Sequence, residues 1–180
     1  MKITKIIFSL LLIAVVISYG CKKEVSPVII YDAGDQEFGW ATGMKEGHQW
    51  NASGYWRYHT NDSTYWGINF VTYTSYGAQR EHFALNEIPF SKGTFSIKGG
   101  INNLGDGFIG GDFGFFADDG DALIGYMQPN ENENGFLEIT EIDFSTRTIK
   151  GFFEIYFISE DESLKIEIKD GEFEVRLYEE

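Results

Sequence analysis

The chain of 180 residues is poor in cysteine and has no long apolar run. With a single cysteine, Cys21, it forms no internal disulfide, so its fold is stabilised by burial alone. Its N-terminal apolar run covers residues 6–19, which as a helix reaches about 21 Å, less than the roughly 30 Å hydrocarbon core of a membrane. Lys2 and Lys5 precede this run, and small residues close it. The pattern is typical of a secretory signal peptide over residues 1–20.

The position of Cys21, directly behind this segment, predicts lipid attachment. Gly20-Cys21 resembles the bacterial lipobox, although Ser18 and Tyr19 replace the usual aliphatic and small residues before the cysteine. A plain cut after Gly20 would instead leave a free thiol in an oxidising compartment. We expect acyl chains on Cys21 to anchor the protein in the outer membrane, facing the periplasm or the cell surface. Residues 21–36 would then be a tether, and residues 37–180 a single domain.

Basic residues are scarce: the chain has 14 lysines and arginines but 28 aspartates and glutamates. Removal of residues 1–20, which carry two lysines, changes the net charge from −14 to −16. Such a surface repels a phosphate backbone, so the charge argues against nucleic-acid binding. It also repels anionic lipid heads, which leaves the acyl chains to hold the protein at the membrane. The sequence indicates no cofactor and leaves the oligomeric state open.

Helical periodicity is absent beyond a turn or so, and alternating apolar residues are common. About nine or ten short strands follow one another, separated by glycine, asparagine and aspartate, which predicts an antiparallel β-sandwich or a partly closed barrel. Two hairpins are expected near the C-terminus. One turns at residues 144–147, and its second arm is apolar on both faces, as in a central strand. The other turns at Asp170-Gly171, a favoured two-residue turn that would pair Ile168 with Phe173.

Four segments carry a resemblance to a known group: "QWNAS", "EIPFSKGTFSI", "LEITEIDFSTRTIKGFFEIYF" and "KDGEFEVRL". With them the chain resembles small Bacteroidota-type lipoproteins built on an all-β domain of unknown function. The resemblance implies a β-sandwich-like fold and a place in the cell envelope. It implies no catalytic residue.

The four tryptophans lie between residues 40 and 66, among several tyrosines. Aromatic rings exposed on a sheet stack against sugars, whereas rings aligned with apolar neighbours belong to a core. Alternation aligns Trp50, Trp56 and Trp66 with such neighbours and predicts that they are buried. Trp40 and Tyr55 are less tied to a core face, so we take them as candidate ligand contacts.

Three further features have a plain structural interpretation beside a functional one. Asp118, Asp119 and Asp121 surround a glycine and form either a turn, the favoured interpretation, or a weak calcium site. The three histidines are scattered and lack metal-ligand spacing, so we expect them on the surface. Ser63 lies in a short Asp-Ser-Thr pattern that related bacteria use for O-glycosylation, in a segment that reads as a turn.

Sequence motifs for nucleophilic, phosphate-binding or zinc-dependent catalysis are missing. We therefore expect a binding module and no enzyme, with a glycan or another envelope protein as partner. The alternative is a lipocalin-like carrier with an apolar ligand inside a barrel. A hydrolase with unidentified residues is a third interpretation.

Overall fold

The computed structural model describes residues 38–58, 65–99 and 108–178. The strands in these ranges are β1 (Gly39–Lys45), β2 (His48–Tyr58), β3 (Tyr65–Tyr73), β4 (Gln79–Pro89), β5 (Gly93–Ser96), β6 (Gly110–Phe116), β7 (Leu123–Pro129), β8 (Phe136–Asp143), β9 (Thr148–Ile158) and β10 (Lys165–Leu177). Within the same ranges, no helix has the length and apolar character needed to cross a membrane. The predicted all-β class and the number of strands are confirmed.

Eight of the ten strands close into a barrel. Around the ring, β1 pairs with β2, then come β3, β4, β6, β7, β9 and β10, and β10 returns to β1. The remaining two strands extend outward, because β8 pairs with β9, and β5 pairs with β8. The ladders are antiparallel except for a two-residue parallel contact between β10 and β2. Of the two forms predicted, the barrel is therefore the one that this chain adopts.

Aromatic side chains fill the middle of the barrel. Trp50 lies at the centre, with its ring centroid 6.1 Å from Phe70, 6.4 Å from Phe83 and 6.1 Å from Phe153. Phe70 also stacks on Phe153 at 5.4 Å. An eight-stranded barrel is just wide enough for side chains to fill it, and large rings are well suited to that space.

The prediction that three tryptophans belong to the core is confirmed: Trp50, Trp56 and Trp66 are almost fully buried. Each indole N–H finds an acceptor inside the protein. Trp56 donates to the Arg147 carbonyl at 2.8 Å, and Trp66 donates to the Pro89 carbonyl at 3.1 Å. A buried indole needs such a partner, because an unpaired buried N–H is destabilising.

The hairpin predicted at Asp170-Gly171 is wrong. β10 runs through both residues as one strand of 13 residues, paired with β9 on one side and β1 on the other. The ladder with β9 slips between Ile168 and Gly171, and Asp170 has a positive φ of 51°. A bulge and a tight turn both shift the alternation of inward and outward side chains by one residue, and both can use a residue with left-handed backbone angles. Ile168 and Phe173 therefore share the barrel interior without any turn.

The hairpin predicted around residues 144–147 is confirmed. Asp143 pairs with Thr148, and the ladder continues between β8 and β9. β9 also pairs with β10 along its length and with β7 near its end. Its predicted place as a central strand, apolar on both faces, follows from these three neighbours.

Candidate functional site

One outer face of the barrel carries polar side chains that are buried or half-buried. Residues in register on neighbouring strands project from the same side of a sheet. Two such rows cross this face. The first consists of Trp40, Ser53, Val71, His82, Gly114 and Tyr126, and the second of Tyr55, Asn69, Ala84 and Asp112. We call this surface the polar face and define it by these two rows together with Arg57, the next outward residue of β2.

Alternation along each strand brings the polar residues to this face. Asn69, His82 and Asp112 each lie beside a phenylalanine of the barrel interior, respectively in β3, β4 and β6. The residues between them are small, for example Ala84, which stands in register with both Asn69 and Asp112. A small side chain there keeps the polar groups on either side within reach of one ligand.

Asn69 and His82 are joined across β3 and β4. The Nε2 atom of His82 lies 2.9 Å from Oδ1 of Asn69. In this arrangement the imidazole N–H is the donor and the amide oxygen is the acceptor. In the neutral ring Nδ1 of His82 is then unprotonated, and its lone pair can accept a hydrogen bond. The amide nitrogen of Asn69 is buried and has no hydrogen-bond partner in the described structure. A buried donor without a partner destabilises a fold by about 1–3 kcal/mol, so a ligand that accepts from it has an advantage.

Asp112 faces the other side of the imidazole. Its Oδ1 atom lies 3.8 Å from Nδ1 of His82, too far for a direct hydrogen bond. Burial raises the pKa of Asp112 to about 6, although the nearby Arg57 charge acts in the opposite direction. Burial, helped by Arg57, lowers the pKa of His82. At neutral pH two acceptors, the carboxylate of Asp112 and the lone pair on Nδ1 of His82, therefore face each other. A ligand hydroxyl group placed between them can donate a hydrogen bond to either one.

Aromatic rings border the polar face. Tyr55 packs against Phe38 at 5.4 Å and Tyr178 at 5.2 Å between ring centroids. Burial raises the pKa of Tyr55, so the phenol keeps its proton at neutral pH. Trp40 and Tyr126, at the two ends of the first row, are each about two-fifths exposed, with 41% and 42% of their surface accessible. These rings offer flat apolar surface next to hydrogen-bonding groups.

The two ligand contacts predicted from sequence, Trp40 and Tyr55, lie near each other on this face. Trp40 pairs with Ser53 of β2, and Tyr55 is the next outward residue on the same strand. Diagonal neighbours of this kind are about 7–8 Å apart, so one ligand can touch both rings.

Other predicted sites lie elsewhere. Asp118, Asp119 and Asp121 occupy the turn between β6 and β7, as the turn interpretation predicted. Within residues 38–58, 65–99 and 108–178, no group of three histidine, cysteine, aspartate or glutamate side chains is placed to hold a metal ion. Cys21 and Ser63 lie outside the described residues.

The central polar residues of the face were missed at the sequence level. His82 was expected to be an ordinary surface histidine, and Asn69 and Asp112 were not singled out. A signal for the last two is present: each interrupts an otherwise apolar and glycine-containing strand, in "WGINFVTY" and "GGDFGFF". Polar residues at such places need partners, and the partners come from other strands.

Comparison of the chain with protein-family models, with curated proteins and with solved structures found no match.

Proposed function

We propose that this chain is a lipid-anchored protein of the cell envelope that binds a glycan on the polar face and catalyses no reaction. The observation that carries the proposal is the buried, unpartnered amide nitrogen of Asn69, which shares the polar face with Asp112 and the partly exposed rings of Trp40 and Tyr126. Sugars present apolar C–H faces beside hydroxyl groups, and each hydroxyl both donates and accepts. The Asn69 amide can donate a hydrogen bond to a sugar hydroxyl, the Asp112 carboxylate can accept one, and the aromatic rings can pack against the C–H face.

The charge of the chain narrows the ligand class. The net charge of −16 that remains after removal of residues 1–20 repels sulfated or otherwise acidic sugars, so the glycan in this proposal is neutral. The positive charge of Arg57 acts on both His82 and Asp112. It balances the Asp112 carboxylate and leaves little net charge at the site.

A glycan array probed with the mature chain, residues 21–180 in detergent, tests the proposal. We expect binding to one or more neutral glycans and about tenfold weaker binding by Trp40→Ala, since losing one stacked ring removes about 1.4 kcal/mol. Phe152→Ala is the matched control: Phe152 is 44% exposed, like Trp40 at 41%, but lies on β9 outside the polar face. Absence of binding to every neutral glycan, or equal losses in both variants, would refute the proposal.

Anchoring through Cys21 has its own test. The Cys21→Ala variant should move from the detergent phase to the aqueous phase and should take up no labelled palmitate. The wild-type protein should show the opposite behaviour in both assays. Wild-type protein recovered in the aqueous phase would show that the anchor is wrong while leaving the binding site unaffected.

A lipocalin-like carrier is the second candidate, because eight-stranded barrels can enclose one small ligand. We place it second because Trp50, Phe70, Phe83 and Phe153 contact one another across the middle of the barrel. Displacement of a bound fluorescent fatty acid would favour the carrier over the glycan-binding module.

A further inference from the structure

A second surface lies at the end of the barrel where the loops β1–β2, β3–β4, β6–β7 and β9–β10 meet. We call it the loop end. An open cleft of about 610 Å³ lies there, within the usual size range of ligand sites. Apolar side chains from β6, β7 and the β9–β10 loop line much of it: Phe115, Phe116, Ile124, Met127 and Leu164.

Large apolar side chains are also unusually exposed around this cleft. Tyr76, Leu123, Ile124 and Leu164 have 65%, 56%, 69% and 58% of their surface accessible. Of the large apolar residues in the described ranges that are more than half exposed, only Phe144 lies elsewhere. Exposed apolar residues are ordinary when single, but a cluster around a cleft marks an interaction surface.

The rim of the cleft is strongly acidic. Asp118, Asp119 and Asp121 lie in the β6–β7 loop, and Glu160, Asp161 and Glu162 lie in the β9–β10 loop. Hydrogen bonds from Ser159 and Ser163 lower the pKa of Asp161 to about 2, so this carboxylate stays charged. A side-chain hydrogen bond with Asp119, together with the negative charge of Asp119, raises the pKa of Asp121.

Positive charge in the cleft does not offset this rim. Lys45 is held inward by an ion pair with Glu81, and its ammonium group lies 5.1 Å from the centroid of the Phe113 ring. Among the described residues that line the cleft, Arg80 is the other cation. The loop end therefore combines an apolar cleft with a surplus of carboxylates at its edge.

We infer that the loop end docks a cationic amphipathic segment of another protein. Its apolar side chains would enter the cleft, and its lysines or arginines would face the acidic loops. The acidic rim argues against docking of the loop end to a membrane surface, because its carboxylates would have to approach anionic lipid heads. It also decides against an acidic partner, since like charges across an interface weaken binding and slow association. The inference does not depend on glycan binding by the polar face.

Three short fluorescent peptides of equal length test the inference, mixed with the mature chain and followed by fluorescence anisotropy. One alternates leucine with lysine, one leucine with glutamate, and one serine with lysine. We expect the leucine–lysine peptide to bind at least about tenfold more tightly than either of the others, because only it matches both the cleft and the rim. Equal binding of the leucine–glutamate peptide, or no binding of the leucine–lysine peptide, would overturn the inference.

Substitutions at the loop end test whether the leucine–lysine peptide binds there. Ile124→Ser combined with Leu164→Ser should weaken binding of the leucine–lysine peptide about tenfold or more. Asp118→Asn combined with Asp121→Asn should weaken it less and should flatten its dependence on salt. These side chains are exposed, so folding should be unaffected; circular dichroism checks this.

Phe144→Ser and Glu141→Gln are the matched controls, because both residues are exposed and lie away from the loop end. Loss of peptide binding in the controls, or unchanged binding in the loop-end variants, would overturn the inference. Binding of the unlabelled mature chain with Cys21→Ala to neutral phosphatidylcholine vesicles, abolished by the same loop-end variants, would assign the surface to lipid and would also overturn it.

Discussion

Asn69 of β3 accepts a hydrogen bond of 2.9 Å from His82 of β4, while the amide nitrogen of the same side chain is buried and unpartnered in the described structure. The bond fixes the direction in which the amide points, because the oxygen is committed to the imidazole. The free N–H₂ group is therefore held in place before any ligand arrives. A preorganised donor loses little conformational entropy on binding, which favours affinity.

Replacing Asn69 with alanine should separate binding from stability. The variant loses the hydrogen bond to His82 but also removes the unpartnered donor, so its free energy of unfolding should change by no more than about 1 kcal/mol. Glycan affinity should fall about tenfold or more. Urea unfolding and titration calorimetry measure the two quantities. Asn51→Ala, on the outer side of β2, is the control that should leave affinity unchanged; a large loss of stability with intact binding would contradict this account.

Asp112 should make stability depend on pH. Its pKa is raised from 3.8 to about 6 in the folded protein, so the folded state holds this proton more tightly than the unfolded state does. The free energy of unfolding should therefore fall as the pH rises from about 4 to 6, by up to about 3 kcal/mol. Asp112→Asn should lack this loss and should be the more stable protein at pH 7.5.

The other charged groups around Asp112 are common to both proteins in this comparison. Arg57 is present in both proteins, and Tyr126, whose pKa is raised, stays neutral. His82, whose pKa is lowered, acts in the opposite direction to Asp112, because its unfolded form takes up a proton first as the pH falls below about 6.5. The difference between the wild type and Asp112→Asn therefore isolates the carboxyl group. Parallel pH profiles of the two proteins between pH 4 and 7.5 would contradict the prediction.

The ion pair of Lys45 and Glu81 should couple two strands. Glu81 also accepts from the Trp50 indole at 3.2 Å and from Thr72 at 3.3 Å, so its carboxylate is well satisfied although it is buried. Glu81→Gln leaves the ammonium group of Lys45 without its counter-charge and should lower the free energy of unfolding by about 3 kcal/mol. Lys45→Met in the same chain should restore part of this loss. Additive effects, within about 0.5 kcal/mol in a double-mutant cycle, would exclude the coupling.

Gly151 of β9 should tolerate no side chain. A Cβ atom there would lie 1.9 Å from the carbonyl oxygen of Glu138 and 2.9 Å from the Phe173 ring, and the former is backbone that cannot move aside. Gly151→Ala should therefore lower the free energy of unfolding by about 3 kcal/mol or more. Gly135→Ala is the control, because its nearest contact would be 3.3 Å and should be absorbed by a small shift. Thermal unfolding compares the two variants, and equal melting temperatures would contradict the clash.

The hairpin wrongly predicted at Asp170-Gly171 shows that a local sequence pattern cannot distinguish a turn from a bulge. The sequence places a left-handed residue between two alternating segments, and both a turn and a bulge satisfy that pattern. The choice depends on whether another strand is present to pair with both halves. β9 and β1 supply those partners, and no residue of the C-terminal segment itself carries that information.

The sequence by itself determined which side chains are inside, as Trp50, Trp56 and Trp66 show, because alternation is a local property with a period of two residues. It also determined the all-β class, since no helical period competes with the strands. Only the tertiary structure decided that the strands close into a barrel and that Asn69, His82 and Asp112 meet on one face. These three residues come from separate strands, and their meeting depends on registers that bulges and turns set across the whole ring.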